Sequence, residues 1–161
     1  MVRHSLIPFS IAGGMVADSI FERIARGDEP AEIVLDEPRV MAIMDIAPMN
    51  PGHCLVFPKE CAVGLSELPA ADGAKMFLVA QRVAAALRMV LADCEGVNFF
   101  LADGQSAGQE VMHLHLHVIP RLEGDGIRFQ RLPGSQRPRC LPGERSRIGA
   151  LIAGHLDKES G

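Results

Sequence analysis

The chain has 161 residues, of which 48% are hydrophobic, so it can form one domain with a buried core. Its formal net charge of −4 gives no overall attraction to nucleic acid or to an anionic membrane surface, and we expect neither as a partner. No run of residues approaches the roughly 20 apolar residues that a membrane helix needs.

Residues 1–14 are predicted to form a disordered or extended N-terminal segment. Pro8, Gly13 and Gly14 interrupt its apolar residues, so it does not have the form of a signal peptide. The four cysteines of the chain include no CxxC pair and no dense disulfide framework. Together these features predict a cytoplasmic protein.

Three segments are predicted to be helical. A short helix begins near residue 18, with Asp18 or Ser19 as its cap and Gly27 at its end. A long helix is predicted over residues 69–91, where apolar residues recur every three or four positions. These residues are Met76, Val79, Val83, Leu87 and Val90. A third, short helix is predicted over residues 145–156.

Five segments are predicted to be strands, because they are short, apolar and bounded by turn residues. They lie at residues 32–35, 40–44, 53–58, 96–102 and 111–120. The first two form a hairpin around a turn at residues 36–38, and Pro120 ends the fifth. Because strands and helices do not alternate regularly, we expect an α+β fold with an antiparallel sheet rather than a doubly wound one.

One domain is predicted over residues 15–129, followed by a C-terminal loop and short helix, residues 130–161, that pack on it. Residues 121–161 carry eight Lys or Arg against five Asp or Glu, a local excess of +3. This part of the chain is either a solvated loop with a packed terminal helix or a contact for a phosphate or a partner.

The sequence "HLHLHV" places His113, His115 and His117 two residues apart. On a strand such residues point to one face, so the three imidazoles share a surface while the intervening apolar residues pack on the other side. At about 3.3 to 3.4 Å per residue the outer two are roughly 13 Å apart at Cα, too far to share one zinc ion easily. A single three-histidine zinc site is therefore disfavoured.

Neighbouring imidazoles offer a nucleophile, a proton donor and a cation near neutral pH. This combination suits attack on an electrophile that gains negative charge, such as a phosphorus centre. The preceding "DGQSAGQ" supports this interpretation, because the backbone N–H groups of Gly104 and Gly108 can approach an anion. By itself that segment is equally well explained as a simple loop.

Four segments together resemble the histidine triad, or HIT, family of hydrolases and transferases. They are "SIFERIARGDEP", "VMAIMDIAPMNPGHCLVFPK", "GVNFFLADG" and "GQEVMHLHLHVIPR", in the same order as in the family. The resemblance covers about residues 18–129, which makes residues 15–129 a HIT domain. It implies a HIT-like α+β fold: a five-stranded antiparallel sheet with a long and a short helix, continued into ten strands across a homodimer.

The resemblance also implies nucleotidyl transfer. His115 corresponds to the nucleophile that attacks the α-phosphorus of a nucleotide conjugate, with His113 and His117 beside it and His53 completing the site. Its second ring nitrogen is expected to donate to a backbone carbonyl. The implied activity is hydrolysis of a purine phosphoramidate or similar conjugate through a nucleotidyl-histidine, with release of a nucleoside monophosphate.

Three alternatives stay open. The first is a diadenosine polyphosphate hydrolase, and the second is a non-catalytic nucleotide-binding scaffold. The third is a metal-dependent hydrolase that uses His53 with two of the neighbouring histidines. It is weakened because no carboxylate nearby in the sequence has ligand spacing.

The nucleotide-binding residues are likewise implied by the resemblance. Asp45 corresponds to the residue that accepts hydrogen bonds from both ribose hydroxyls, and Gln109 and Glu110 lie at the turn that contacts phosphate. The base pocket is expected to contain Ile20, Phe21, Ile24 and Ile46, each of which is equally suited to an ordinary core position.

The chain departs from the family pattern at two places. Many bacterial members bind zinc through a CxxC and a later His, but the matching positions here hold Ser19, Glu22 and Cys61. We therefore expect no structural zinc, no metal in the active site and no required cofactor. At Ala102 the family often has Asn or Gln that contacts the phosphate or leaving group, so the rate and the leaving-group preference are open.

Overall fold

The computed structural model describes residues 18–127 and 143–159 of the chain. They fall into two compact units that divide at Gly126 and Ile127, each considered by itself. The helices are α1 (Ile20–Arg26), α2 (Ala70–Val90) and α3 (Glu144–Glu159), and the strands are β1 (Ile33–Asp36), β2 (Val40–Met44), β3 (Cys54–Pro58), β4 (Gly96–Leu101) and β5 (Leu116–Arg121). The segment predicted to be disordered, residues 1–14, lies outside the described residues.

The first unit contains a five-stranded sheet with the order β1-β2-β3-β5-β4, in which every pair of neighbours is antiparallel. The predicted α+β fold with an antiparallel sheet is therefore confirmed, and apart from the start of the fifth strand the predicted strands and helices are found within a few residues of their expected bounds. The order places β5 between β3 and β4. The histidine-rich segment thus reaches the centre of the sheet.

The two faces of the sheet pack against different helices. Val40 and Ala42 of β2 join the core formed with α2, whereas Met41 and Ile43 join the core formed with α1. Residues of β3 alternate in the same way, as successive side chains of a strand must. Because both faces are covered, β2 and β3 are apolar at nearly every position, and α1 covers the face on which His117 lies.

Helix α1 is short, and its ends are fixed by its sequence. The Ser19 hydroxyl accepts a hydrogen bond from Glu22 N–H, and the Glu22 carboxylate accepts one from Ser19 N–H, which together form a capping box. Gly27 ends the helix at a φ of 83°, a conformation that costs glycine least. The helix buries Phe21 and Ile24 against the sheet.

The predicted fifth strand over residues 111–120 is too long at its beginning. Strand β5 starts at Leu116, which pairs with Val56 of β3 and Leu101 of β4, so the pairing of both neighbours ends at the same residue. Before it, Leu114 N–H donates to the Ala62 carbonyl at 2.7 Å and not to a strand. His113 and His115 therefore lie in the irregular segment that leads into the strand.

The second described unit contains helix α3, which confirms the helix predicted over residues 145–156. Its packing on the first unit stays a prediction, and the loop of residues 130–142 lies outside the described residues. None of the helices described is both long and apolar enough to cross a membrane.

Candidate functional site

A cavity of about 550 Å³ opens beside α1 on the histidine face of the sheet. Nine of the eleven predicted site residues line it: Ile20, Phe21, Ile24, Asp45, Ile46, His53, Glu110, His115 and His117. The sequence did not predict further apolar lining residues, which include Ile43, Met44, Leu55 and Val111. The cavity therefore combines an apolar part with a cluster of imidazoles.

The orientation of the His115 ring is set by one hydrogen bond. Its Nδ1 atom lies 2.8 Å from the backbone carbonyl oxygen of His113. A carbonyl oxygen can only accept, so Nδ1 carries the proton and Nε2 keeps its lone pair. This bond confirms the expected one. The tautomer is the one that a nucleophilic Nε2 requires, and the ring lines the cavity.

His53 and His117 form a hydrogen-bonded pair with a distance of 2.9 Å between His53 Nε2 and His117 Nδ1. Met49 N–H donates to His53 Nδ1 at 3.2 Å, which places the His53 proton on Nε2. His53 then donates to His117 Nδ1, and the proton of His117 is on Nε2. Since the ring of His117 is 4.8 Å from that of His115 between centroids, a hydrogen-bond donor lies beside His115.

Burial keeps both members of this pair neutral. It lowers the pKa of His53, and it lowers the pKa of His117 to about 4, with further lowering by the neighbouring His115 and His53. The Asp45 carboxylate lies 3.4 Å from His53 Nδ1 and opposes the effect on His53, but burial is the larger cause. At neutral pH, His117 is therefore a hydrogen-bond donor and not a cation.

His113 does not line the cavity. Its side chain is fully buried beside the stacked rings of Phe21 and Phe57, which meet it nearly edge-on, at 5.4 and 5.9 Å between centroids. Nε2 lies 2.7 Å from the Pro58 carbonyl oxygen and Nδ1 lies 2.6 Å from the Ser19 hydroxyl. Both ring nitrogens are engaged by the protein, so the predicted row of three equivalent imidazoles is not formed.

Asp45 lies at the polar side of the cavity, on the residue after β2. One carboxylate oxygen accepts a hydrogen bond from Ala47 N–H at 2.8 Å, and the side chain is only 14% exposed. The following residue, Ile46, is 98% exposed and lies at the rim. The two predicted contacts of a nucleoside, a carboxylate and an apolar surface, are thus adjacent.

The glycine-rich turn is arranged differently from expectation. Gln109 is buried, its amide oxygen accepts from Gly104 N–H at 2.7 Å, and its amide nitrogen donates to the Val63 carbonyl at 2.7 Å. Gly108 N–H donates to the Gln105 carbonyl. Neither glycine N–H is therefore directed to an anion, and Gln109 supports the turn instead of lining the cavity.

Among the residues that the structure describes, two groups of side chains bring possible metal ligands within 4.8 Å of one another. One contains Glu22, Cys61 and His113, but both nitrogens of His113 and the carboxylate of Glu22 already make hydrogen bonds, so these residues do not form a ready zinc site. The other contains Asp45, His53 and His117. It supplies a carboxylate that sequence spacing did not reveal.

Residues 26–124 match the model of the HIT domain family. An uncharacterized HIT-like protein of Borreliella burgdorferi is 36% identical over 115 residues, which are 71% of this chain and 83% of that protein. A Dictyostelium discoideum protein named bis(5'-adenosyl)-triphosphatase is 33% identical over 95 residues, 59% of this chain and 63% of that one.

Among solved structures, a zinc-bound histidine triad family protein from Mycobacterium smegmatis superposes with a TM-score of 0.66. It is 36% identical to this chain, and the comparison covers 88% of this chain and 96% of that protein. The fold is thus that of known relatives.

Proposed function

The chain belongs to the HIT domain family, and we propose that it is a nucleotide-conjugate hydrolase that works through a nucleotidyl-histidine intermediate. The proposed substrate is a purine phosphoramidate or a similar conjugate, and the product is a nucleoside monophosphate. The observation that carries the proposal is the hydrogen bond from His115 Nδ1 to the His113 carbonyl, which leaves a basic nitrogen at the cavity.

In the first proposed step, His115 Nε2 attacks the α-phosphorus. A P–N bond forms, and the bond from phosphorus to the leaving group breaks. The leaving group departs with the bonding electrons and takes a proton from water. In the second step, water attacks the same phosphorus and gives up one proton to the solvent, which replaces the proton taken in the first step. The bond to Nε2 breaks, its electron pair returns to the ring nitrogen, and the monophosphate leaves. The scheme uses only side chains of the protein and water, so it requires no cofactor.

His117 is proposed to donate a hydrogen bond from its Nε2–H group to a non-bridging phosphoryl oxygen. Its Nδ1 accepts from His53, which directs the other nitrogen to act as a donor. Such a donor reduces the negative charge that a nucleophile must approach, and it is worth most in a site with little water. His53 thus acts on the phosphate through His117.

The proposed nucleoside position follows the lining of the cavity. The Asp45 carboxylate can accept hydrogen bonds from two ribose hydroxyls, since it has lone pairs to spare beyond the Ala47 contact. The base would lie against Ile20, Ile24 and Ile46. Of the residues implied for phosphate binding, Glu110 lines the cavity, whereas Gln109 is proposed to act only by holding the turn.

We propose that the protein needs neither a structural nor a catalytic metal. The Ser19 hydroxyl occupies the nitrogen of His113 that a metal would use. The test is metal analysis of protein purified without added metal, with the melting temperature measured with and without chelator. Less than a tenth of an equivalent of zinc and an unchanged melting temperature are expected; stoichiometric zinc or a loss of stability in chelator would contradict the proposal.

A homodimer with a continuous sheet is also proposed. Strand β4 is an edge strand, and the partly exposed rings of Phe99 and Phe100 lie on it. Phe99 packs edge-on against the half-exposed Phe77 of α2. An apolar edge of this kind is suited to cover by a second copy. Light scattering is expected to give the mass of two chains, and a monomer at micromolar concentration would reject this assembly.

The activity is tested with adenosine phosphoramidate and diadenosine tetraphosphate, both with chelator present. Wild type and His115→Ala are compared for release of the monophosphate. Turnover by the wild type alone is expected. The substrate that is hydrolysed faster decides between a phosphoramidase and a dinucleoside polyphosphate hydrolase, and the name of the Dictyostelium relative favours the polyphosphate hydrolase. If neither protein turns over while both bind AMP, the scaffold alternative replaces the enzyme, and Ala102 becomes the first residue to examine.

A further inference from the structure

The hydroxyl of Ser19 lies 2.6 Å from His113 Nδ1. The direction of this bond follows from the other end of the ring, where Nε2 must donate to the Pro58 carbonyl because that oxygen can only accept. Nδ1 therefore has a lone pair, and Ser19 donates its proton to it. The Ser19 oxygen itself accepts from Glu22 N–H at 3.1 Å. One hydroxyl thus caps α1 and holds the ring of His113.

The ring of His113 is anchored at both nitrogens and is closed in by Phe21 and Phe57. The backbone carbonyl of the same residue accepts the hydrogen bond that fixes the His115 tautomer. Because His113 precedes β5, no strand pairing holds this carbonyl in place. The Leu114 N–H of the same planar peptide group donates to the Ala62 carbonyl at 2.7 Å, so this bond and the anchored ring together keep the His113 carbonyl directed at His115 Nδ1.

We propose that Ser19 is a positioning residue for the nucleophile, acting through His113. It does not touch the substrate; it supplies the donor that fixes the His113 ring and, through the His113 carbonyl, the ring of His115. The effect of Ser19 on turnover rests on the proposed function. Its effect on the rings of His113 and His115 is independent of that function, because the tautomers of the rings are measured separately.

Three variants separate this role from simple helix capping. Ser19→Ala removes both the cap and the donor to His113. Glu22→Ala removes the other half of the capping box and leaves the hydroxyl on His113, so it is the matched control. Ser19→Thr keeps a hydroxyl for both partners. Each is studied by steady-state kinetics, thermal melting and 15N-edited NMR of the histidine rings, which reports their tautomers.

Ser19→Ala is expected to lower kcat by about tenfold to hundredfold, the cost of a displaced catalytic group, with KM within about twofold. In its spectrum His115 changes from the Nδ1–H form to a mixture of tautomers. Glu22→Ala is expected to lower the melting temperature but keep kcat within about twofold, and Ser19→Thr is expected to restore both kcat and the wild-type ring spectrum.

The proposal is overturned if Ser19→Ala leaves the ring spectrum of His115 as in the wild type, or if Glu22→Ala lowers kcat as much as Ser19→Ala does. Should the wild type hydrolyse no nucleotide conjugate, the proposed function fails. The spectra still decide whether Ser19 fixes the two rings.

Discussion

The Nε2 atom of His53 lies 2.9 Å from the Nδ1 atom of His117, and this hydrogen bond joins the end of the loop after β2 to the start of β5. Since Met49 N–H fixes the tautomer of His53, the proton positions of both rings follow from one backbone group. The donor that the proposed reaction needs beside His115 is thus set by two residues 64 positions apart in the chain.

The first prediction concerns this pair. His53→Ala leaves His117 free to adopt either tautomer, so kcat is expected to fall by roughly 10². His53→Gln can still donate through its amide nitrogen, and its loss is expected to be smaller. Steady-state kinetics with the preferred conjugate measures both; equal kcat for His53→Ala and the wild type would show that the pair does not matter for turnover.

The second prediction concerns the ribose. Asp45→Asn weakens two charge-assisted hydrogen bonds to the ribose hydroxyls, so KM is expected to rise by roughly tenfold, with a smaller effect on a 2'-deoxy substrate. Asp93→Asn removes the same charge from an exposed loop position after α2 and serves as the control. If Asp45→Asn raised KM equally for the ribose and the 2'-deoxy substrates, a contact between Asp45 and the ribose hydroxyls would be excluded.

Gln109 gives the third prediction, because its amide joins the Gly104 turn to Val63. Gln109→Ala leaves the partly buried Gly104 N–H and Val63 carbonyl without this partner, and it is expected to lower the free energy of unfolding by about 1 to 3 kcal/mol. Gln105→Ala, at an exposed position of the same turn, is expected to change it by less than about 0.5 kcal/mol. Urea titrations measure both, and similar stability of the two variants would contradict the placement of Gln109.

The fourth prediction concerns pH. Burial lowers the pKa values of His53, His113 and His117, so below about pH 6.5 the unfolded chain binds protons that the folded chain does not. The free energy of unfolding is therefore expected to fall as pH falls from about 7 toward 4 and to change little just above 7. His117, with a pKa of about 4 in the folded chain, accounts for on the order of 1 kcal/mol at pH 5 after allowance for its partial exposure.

The check is a series of urea titrations between pH 4 and pH 8 on the wild type and on His117→Asn. The variant lacks one of the three histidines with a lowered pKa, so its free energy of unfolding is expected to depend less steeply on pH below pH 6.5. A wild type whose stability rises on acidification would show that these rings are not kept neutral by burial.

Much of the fold was predictable from local sequence. The spacing of apolar residues and the turn residues between them placed α1, α2 and all five strands, because both signals are short-range. The start of β5 was not predictable in this way. It depends on where β3 and β4 end their pairing, and that is a property of the neighbours of Leu116 and not of its own segment.

The candidate site was predicted as a set of residues but not as an arrangement. The alternation of histidines predicted one shared face, and the rings of His113 and His115 both pack against Phe21 on the α1 side of the sheet. The ring of His113, however, is held by Ser19 and the Pro58 carbonyl and does not line the cavity. Backbone groups such as Pro58 O and Met49 N carry no side-chain signal in a sequence. Ser19 was predicted as a cap of α1, and its second bond depends on a residue 94 positions away.

In the proposed mechanism, His115 Nε2 becomes covalently nucleotidylated. The most direct measurement is rapid acid-free quenching of the wild type and of His115→Ala with excess substrate, followed by intact-protein mass spectrometry. A transient mass increase of one nucleoside monophosphate per chain is expected in the wild type and none in the variant, with the adduct mapped to His115. The covalent mechanism would be contradicted by a wild type that hydrolyses the substrate without forming any adduct, or by a His115→Ala variant that forms one.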